Sequence, residues 1–337
     1  MNLILLRFFE LEDAACASST CTAGGNSPKR RKSDDTAASA TCASARTKVV
    51  LEGNDPRAKH IVKHLHKKTG DHVYVGIING SKGKAIVNVD EGSDVGDGGD
   101  GADQKKKKKG GPNVTLQLTF DPTNNAQTQQ QPEMTLILAI PQPKRLQKLW
   151  SVISQMGVTR IVLIRAKLSP FGTHCQSSKF NEESYRALIE EGMAQGAHTR
   201  EVRVDVEVDE VISPAVLQRL GLTSSNDRQA KLFLDCGDES GMVVPPARDV
   251  VMEACVPTDE SNLPASSAFL AIGPERGWAE EEAQLFQHVG GFRMASLGPS
   301  ILRVDVAVVA GIALVSAALD EAVSVASYVA CTMRHSE

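Results

Sequence analysis

The chain has no C-x-x-C pair, and its cysteine count is odd. Seven cysteines are spread over 337 residues, and Cys16, Cys21 and Cys42 fall in one low-complexity stretch. Structural zinc sites and disulfide frameworks need closely spaced or paired cysteines. We therefore expect no zinc site or other metal site, no disulfide network and a reducing compartment.

An apolar run long enough to cross a membrane is also missing. The longest candidate, Val306–Leu319, is shorter than the stretch of about 18 residues that indicates a membrane span. We interpret it as a buried core helix and expect no membrane contact. Met1–Phe9 is too short to hold both the charged and the apolar region of a signal peptide. We expect a cytoplasmic protein, with the mitochondrion or another organelle as the alternative.

The chain lacks the basic surplus that many nucleic-acid-binding proteins carry. It has 37 Lys and Arg against 41 Asp and Glu, a formal net charge of −4. Local patches decide contact with nucleic acid, so this balance does not exclude RNA as a partner. Basic residues gather in four runs: Lys29–Lys32, Arg57–Lys68, Lys105–Lys109 and Lys144–Lys148.

Low-complexity segments divide the chain. Residues 14–47 are rich in Ala, Ser, Thr and Cys, residues 91–112 consist mainly of Gly, Asp and Lys, and neither has a periodicity, so we interpret both as insertions that cannot bury enough apolar surface to offset the entropy of ordering. Between them, short strand-like segments follow one another as in a small β domain. A Gln-, Asn- and Pro-rich linker over 121–133 then leads to a segment of different character.

From Met134 onward, strands alternate with helices. Met134–Ile140 is a continuous apolar strand, and Pro143 opens a helix that Gly157 closes. Glu182–Gln195 has the apolar spacing of a second helix. This alternation predicts an α/β domain with a mostly parallel sheet and helices on both faces.

Two glycine-bearing turns follow apolar strands near the end of this segment. Phe269–Ile272 runs into Gly273–Gly277, and Met294–Leu297 runs into a turn ending at Ile301. Strand ends that lead into helices are ligand-binding positions in α/β proteins. One such turn alone is more often a plain surface turn, but the pair predicts a shared pocket.

These turns also carry a resemblance. The segment I-G-P-E-R-G at Ile272–Gly277 resembles the G-P-E-G-G turn of the RsmE family, and L-G-P-S-I-L-R-V-D-V-A at Leu297–Ala307 resembles its L-G-x-R-I-L-R-x-E-T-A segment. The resemblance implies a trefoil-knotted α/β fold of the SPOUT superfamily, preceded by a small PUA-like β-barrel. It places the RNA-binding barrel at 1–120, the methyltransferase domain at 134–322 and a C-terminal tail at 323–337.

The resemblance further implies S-adenosylmethionine as cofactor. Glycine allows the close backbone approach that such a ligand needs, and no G-x-G-x-x-G dinucleotide motif is present. The residues expected to hold the cofactor are Leu234, Asp235, Ile272, Gly273, Pro274, Glu275, Gly277, Leu297, Gly298, Ile301 and Leu302.

The family's reaction is methylation of uridine N3 in ribosomal RNA, which develops negative charge on the uracil ring. A guanidinium can stabilise that charge, so Arg303 is the principal catalytic candidate, with Glu275 and Asp305 beside it. The structural alternatives are an ion pair of Arg303 with Asp305 or Glu275, and a helix-capping role for Glu275.

Contacts with RNA are expected from Gln195, Arg200, Arg276 and Lys63. Gln195 and Arg200 match the family's E-Q-x-x-x-x-R segment, with Ala194 in place of its glutamate. Arg276 stands where the family has glycine, which costs roughly 1 kcal/mol if the position needs a positive φ. His198 is a weaker candidate for a general base than for a surface histidine.

Together these features predict methylation of a uridine in small-subunit ribosomal RNA by a homodimer. The all-round apolar character of Val304–Leu319 is the basis for the dimer, with Gly311 as a point of close helix approach. The rivals are a non-enzymatic RNA-binding or ribosome-assembly protein on the same scaffold, and a SPOUT methyltransferase with another RNA target.

Overall fold

The chain divides into two compact units. The computed structural model describes residues 3–13, 46–90, 111–120, 132–170, 182–223, 229–235, 243–255 and 267–333. Leu3–Gln127 forms the N-terminal unit and Thr128–Glu337 nearly all of the C-terminal unit. The predicted insertions 14–47 and 91–112 and the linker 121–133 lie outside the described residues, apart from their last two residues in each case.

The N-terminal unit is built on a six-stranded sheet in the order β1-β4-β5-β6-β3-β2. The β1–β4 pair is parallel and the other neighbours are antiparallel. Its core consists of aliphatic side chains that alternate along the strands, such as Val73, Val75 and Ile77. Its strands are β1 (Ile4–Leu6), β2 (Glu12–Asp13), β3 (Arg46–Leu51), β4 (His72–Ile77), β5 (Lys82–Asp90) and β6 (Asn113–Leu118).

The first strand is shorter than the sequence predicts. The apolar character of Leu3–Phe9 predicts a strand, but β1 ends at Leu6 and a 3₁₀ turn occupies Phe8–Glu10. The cause is Glu10, whose carboxylate accepts a hydrogen bond from the backbone N–H of Arg7 at 2.6 Å and turns the chain back. Phe9 is left 77% exposed as a result.

Arg57 holds three segments of this unit together. It lies on the short helix α1 (Pro56–Lys59), and its guanidinium donates to Glu10 at 2.6 Å and to Asp55 at 2.8 Å. A further bond reaches the backbone oxygen of Leu5 on β1 at 3.0 Å. Arg57 belongs to the basic run at 57–68, but these partners make it a structural residue.

The C-terminal unit contains the predicted parallel sheet. Its strands lie in the order β12-β10-β11-β7-β8-β9, and all five neighbouring pairs are parallel. The strands are β7 (Glu133–Ala139), β8 (Arg160–Arg165), β9 (Arg203–Val211), β10 (Gln229–Leu234), β11 (Ser267–Ile272) and β12 (Arg293–Ala295).

In the part of this unit that the structure describes, six helices connect and cover these strands. In the first of them, Pro143 begins the helix, and Leu146, Leu149, Trp150 and Ile153 form its buried face. Gly157 follows with φ +83°, the left-handed conformation of a helix end. The helices are α2 (Pro143–Gln155), α3 (Glu182–Gln195), α4 (Pro214–Arg219), α5 (Ala247–Cys255), α6 (Glu280–His288) and α7 (Val304–Met333).

The helices lie on both faces of the sheet. Phe269 and Ala271 of β11 share a core cluster with residues of α4 and α6. On the opposite face, Leu270 lies under Gly311 of α7, where an added Cβ would come within 3.1 Å of its Cδ2 atom. Gly311 is therefore a point of close approach between α7 and the sheet, and the prediction that it meets another helix is wrong.

The α/β class with a parallel sheet and helices is confirmed, while the trefoil knot and the PUA-like barrel stay predictions. In the C-terminal unit, two of the helices were not predicted. The short helix α4 had a sequence signal, because Ser213 caps it and Pro214 begins it. The helix α5 carries only a brief apolar pattern. Helix α7 continues to Met333, beyond residue 322 where we placed the end of the domain.

Candidate active site

Three strands end side by side at one edge of the parallel sheet. Leu234 at the end of β10 is in register with Ile272 of β11 and with Ala295 of β12. The loops that follow these strands therefore begin next to one another. The chain order also changes direction here, since β8 and β9 lie on one side of β7 while β10, β11 and β12 lie on the other. Such a position is the usual ligand site of an open α/β sheet.

The three loops enclose a cavity of about 320 Å³, which we call the loop cavity. Pockets that hold small molecules range from roughly 300 to 1,000 Å³. Every residue predicted to bind the cofactor lines it, although that binding role stays a prediction. The lining residues are Leu234, Asp235, Ile272, Gly273, Pro274, Glu275, Arg276, Gly277, Leu297, Gly298, Ser300, Ile301, Leu302, Val304 and Ala307.

The loop after β11 owes its shape to two glycines. A Cβ at Gly273 would lie 3.2 Å from the indole of Trp278, so the backbone passes close over that ring. Gly277 has φ +75°, and its N–H donates to the Pro274 carbonyl at 2.9 Å to close the turn. Among the non-glycine residues that the structure describes, only His66, Asn79 and Ala197 have a positive φ. Arg276 therefore takes the family's glycine position without backbone strain.

The loop after β12 is held by Ser296. Its hydroxyl accepts from the backbone N–H of Gly298 and donates to the carbonyl of the same residue, both at 3.1 Å. Gly298 has φ +119°, a conformation that side-chain-bearing residues rarely adopt. The next apolar side chain, Ile301, is 90% exposed at the cavity. An isoleucine this exposed is suited to being covered by a ligand.

A buried carboxylate, which the sequence analysis missed, anchors α6 beneath these loops. Glu282 is only 4% exposed, and it accepts hydrogen bonds from the backbone N–H of Lys167 at 2.6 Å and of Ala279 at 2.9 Å. It thus ties the segment after β8 to the start of α6. Glu at the third position of a helix is a known capping signal, which was available within the acidic run 280–282.

A second cavity of about 640 Å³ lies between α2 and α7, and we call it the helix groove. The two cavities share the chain segment 302–307 as a wall. Leu302, Val304 and Ala307 face the loop cavity, whereas Arg303, Asp305 and Val306 face the helix groove. The groove is lined by Lys144, Arg145, Lys148, Leu149, Val152, Arg303, Asp305, Val306, Val309, Ala310 and Ala313.

Two ion pairs lie among the charged residues that line the two cavities. Arg303 Nη2 lies 3.1 Å from Asp305 Oδ2, with 66% of the arginine side chain exposed. Such an exposed pair contributes only about 0–1 kcal/mol to stability. Glu275 pairs with Arg145 at 3.5 Å, so the alternative of an Arg303–Glu275 pair is not observed. Asp305 Oδ1 is buried without a hydrogen-bond partner among the described residues.

The other predicted RNA-contacting residues lie elsewhere. Arg200 pairs with Glu133, the first residue of β7. This pair therefore lies at the amino-terminal ends of the parallel strands, whereas the loop cavity lies at their carboxyl ends. Gln195 ends α3 and donates to Glu191 at 3.2 Å. Lys63 is exposed on a π-helical turn of the N-terminal unit, His60–His64. Their contact with RNA stays a prediction, and neither Gln195 nor Arg200 lines either cavity.

Two further groups are not suited to catalysis at this site. His198 Nε2 lies 3.0 Å from the Gln155 carbonyl at the end of α2, away from both cavities. Burial raises the pKa of the Cys255 thiol to about 11, so it is not a ready nucleophile.

In the described ranges there is no group of three or more His, Cys, Asp or Glu that could hold a metal ion. Those ranges also contain no helix that meets the length and hydropathy of a membrane span.

Comparison with known families agrees with this geometry. Residues 128–316, more than half of the chain, match the family model of the RNA methyltransferase domain. The chain belongs to this RNA methyltransferase family. The resemblance stated from the two glycine turns is thereby confirmed, since those turns lie within the matched residues.

Individual relatives extend over both units. The chain is 25% identical over 268 residues to ribosomal RNA small subunit methyltransferase E of Treponema pallidum, covering 80% of this chain and 85% of that protein. A Legionella pneumophila protein described as a methyltransferase in complex with the bound cofactor SAM has 17% identity and a TM-score of 0.54, covering 81% and 93% of the two chains. A probable rRNA-methyltransferase from Porphyromonas gingivalis has 16% identity and a TM-score of 0.53, covering 78% and 90%. These two structures share the fold.

Proposed function

We propose that this protein transfers the methyl group of S-adenosylmethionine to N3 of a uridine in small-subunit ribosomal RNA, on a knotted SPOUT domain that follows a PUA-like barrel. The observation that carries the proposal is the loop cavity, which gathers all the residues that the motif resemblance assigns to the cofactor. The Treponema relative acts on small-subunit ribosomal RNA by its name, and the Legionella relative holds SAM.

The loop cavity suits S-adenosylmethionine in size and chemistry. Its volume of about 320 Å³ lies in the range of small-ligand pockets. Aliphatic side chains of Ile272, Leu297 and Ile301 offer apolar walls for an adenine ring, and Asp235 offers a carboxylate for hydroxyl or ammonium groups. The glycine turns at Gly273 and Gly298 allow backbone groups to approach the ligand. When bound, the cofactor supplies a methyl group activated by a positively charged sulfur.

Arg303 and Asp305 alternate along segment 302–307 with residues that line the loop cavity, and they would act on a uracil ring whose N3 reaches the bound methyl group at the edge of that cavity. The edge of uracil presents an N3–H donor between two carbonyl oxygens. The Arg303 guanidinium can donate to a carbonyl oxygen and stabilise the negative charge that develops as N3 loses its proton. One oxygen of the Asp305 carboxylate has no hydrogen-bond partner among the described residues, and it can accept that proton after rotation of the side chain. Glu275 contributes by holding the loop through Arg145.

We further propose that the protein acts as a homodimer through α7. Along this helix, Val306 and Val309 are 47% and 40% exposed, and Ala313 and Ala317 continue the same exposed stripe. Small apolar side chains at this spacing suit close packing of a second helix. A two-fold contact here would leave Arg303 at the end of the interface, next to the loop cavity.

The test is methyl transfer to isolated small ribosomal subunits from cells that lack the protein. Incubation with labelled S-adenosylmethionine should place the label in N3-methyluridine, as identified by mass spectrometry of the digested RNA. Label in transfer RNA alone would support a different target. Binding of RNA without any transfer of label would support the non-enzymatic rival.

A further inference from the structure

Most cations on the C-terminal unit are neutralised by nearby carboxylates. Exposed arginines away from the cavities are paired with acidic side chains, as Arg219 is with Glu207 and Arg293 with Glu253. Ion pairs also neutralise other cations of this unit, exposed or partly buried: Arg160–Asp205, Lys167–Glu281, Arg186–Glu182, Arg200–Glu133 and Arg248–Glu321. Across these surfaces the protein therefore offers little net positive charge to a polyanion.

Lys144 and Lys148 are exceptions. Both are exposed on α2, and within the described parts of the chain neither has an ion pair or a hydrogen bond with another side chain. Four residues apart on a helix, they lie on the same face with a rise of about 6 Å between them. Unpaired cations are free to bind an external anion without first breaking an internal ion pair.

Their position links them to the proposed chemistry. Both lysines line the helix groove together with Arg145 and Arg303. Arg276 also has no ion pair among the described residues, and it follows Glu275, which contacts Arg145. Among the described residues of this unit, Lys144, Lys148 and Arg276 thus place unpaired positive charge around the wall that separates the two cavities. A chain with a net charge of −4 needs such a local patch to hold nucleic acid.

We propose that Lys144 and Lys148 bind backbone phosphates of the RNA strand that flanks the target nucleotide, and so position that nucleotide at Arg303. The inference rests on the proposed function, since it presumes that RNA is the substrate. It adds a phosphate-binding edge on α2 that neither the motif resemblance nor the family match assigns. The apolar residues of the groove, including Val306 and Val309, would instead contact the second copy of the chain in the proposed dimer.

The salt dependence of RNA binding tests this proposal. The double variant Lys144→Gln/Lys148→Gln is compared with Arg219→Gln/Arg293→Gln, which removes the same charge from paired residues outside the groove. The probe is a fluorescein-labelled single-stranded oligoribonucleotide with one central uridine, followed by anisotropy at increasing salt. Both variants keep the basic runs outside this patch, so any difference between them belongs to the lysines.

The lysine variant should lower the slope of log affinity against log salt by about 1.4, because each phosphate contact contributes about 0.7 for single strands. Between about 50 and 200 mM salt, wild type would then lose about sevenfold more affinity than the variant. The arginine variant should keep the wild-type slope. An unchanged slope for the lysine variant would overturn the proposal.

Two parallel measurements separate the explanations. If the lysine variant changes only the dimer dissociation constant in sedimentation experiments, these lysines face the second copy and the RNA proposal is wrong. Methyl transfer to small subunits by wild-type protein tests the proposed function independently. Wild-type transfer with an unchanged salt slope in the variant refutes only the phosphate edge, whereas a changed slope without any transfer refutes only the enzyme.

Discussion

The Glu275 carboxylate lies 3.5 Å from the guanidinium of Arg145, which ties the loop after β11 to helix α2. The same carboxylate is 3.4 Å from the backbone N–H of Gln142, just ahead of that helix. Glu275 lines the loop cavity and Arg145 lines the helix groove. The ion pair is therefore a direct connection between the two cavities, and a change on α2 can alter the cofactor loop.

Replacing Arg145 with Met should weaken binding of S-adenosylmethionine about fivefold. The pair is partly shielded from water, and its loss removes roughly 1 kcal/mol that holds the loop in its binding shape. Isothermal titration of the cofactor measures the effect. Lys148→Met is the matched control, because it lies on the same helix without contacting Glu275. Equal losses of affinity in both variants would contradict a specific role for the ion pair.

Gly298→Val should abolish measurable cofactor binding while leaving the protein folded. The cause is the backbone and not crowding, since no atom lies within 4 Å of a Cβ built at this position. A β-branched residue at φ +119° costs roughly 1–3 kcal/mol and moves the loop that Ser296 holds. Circular dichroism and calorimetry would check fold and binding. Unchanged affinity in the variant would show that this loop does not hold the cofactor.

Arg303→Gln should lower the rate of methyl transfer about a hundredfold and leave cofactor affinity nearly unchanged. Its charge matters when the uracil becomes anionic, and groups that stabilise such charge contribute about this much to the rate. Arg303 faces the helix groove and not the loop cavity, which is why cofactor binding should be spared. Single-turnover transfer with saturating cofactor measures the effect. A wild-type rate would assign Arg303 to the exposed ion pair with Asp305 alone.

The sequence predicted the parallel half of the fold well because its signals are local. Pro143, the apolar spacing up to Ile153 and Gly157 together specify one helix, and Glu182–Gln195 has the bounds of α3 as predicted. Much of the loop cavity was predictable for the same reason, since the turns after β11 and β12 each carry a glycine. A local backbone conformation of this kind requires particular residue types, such as glycine or proline, and these can be recognised in the sequence.

Features that depend on distant segments could not be predicted in this way. Gly311 looked like a contact between helices, but its neighbours are Leu270 and Leu234 on strands far away in the chain. The Arg145–Glu275 pair joins residues on two separate elements, and nothing near either residue indicates the other. Arg200 matched a motif, yet its guanidinium pairs with Glu133 at the start of β7, at the end of the sheet away from the loop cavity. Motifs specify residue types, while the sheet order decides which of them meet.

Glu282→Ala should destabilise the C-terminal unit by about 2–4 kcal/mol. The variant removes the buried carboxylate that accepts hydrogen bonds from the N–H groups of Lys167 and Ala279, and leaves both part-buried donors without that acceptor. Glu281→Ala is the control. Glu281 is adjacent to Glu282 in the chain, but its side chain is 72% exposed and forms an ion pair with the exposed Lys167. Chemical denaturation of both variants measures the difference. Similar midpoints for the two would show that the buried hydrogen bonds contribute little.

The N-terminal unit should lose stability as the pH falls, and Arg57 should be the cause. Burial by itself raises the pKa of Glu10 and of Asp55, but hydrogen bonds from Arg57 outweigh it and hold both pKa values below their ordinary 4.5 and 3.8. A carboxylate with a lowered folded-state pKa stabilises the fold above its unfolded pKa. That contribution is lost as the pH falls through the folded-state value. Hydrogen exchange of the Ile4–Leu6 amides should therefore speed up from about pH 4.5 downward, after correction for the intrinsic rate.

Arg57→Met should remove most of this pH dependence and destabilise the unit at neutral pH by about 2–3 kcal/mol. The guanidinium bonds to Glu10, Asp55 and Leu5 are all lost, and the two carboxylates then resist burial in their charged form. The variant should exchange its β1 amides faster than wild type at about pH 7, and the two proteins should converge below about pH 3. Lys59→Met is the matched control, because it lies on the same helix and its ammonium donates only to the Asn54 carbonyl at an exposed position. A wild-type pH profile in Arg57→Met would mean that other groups hold the N-terminal sheet together at neutral pH.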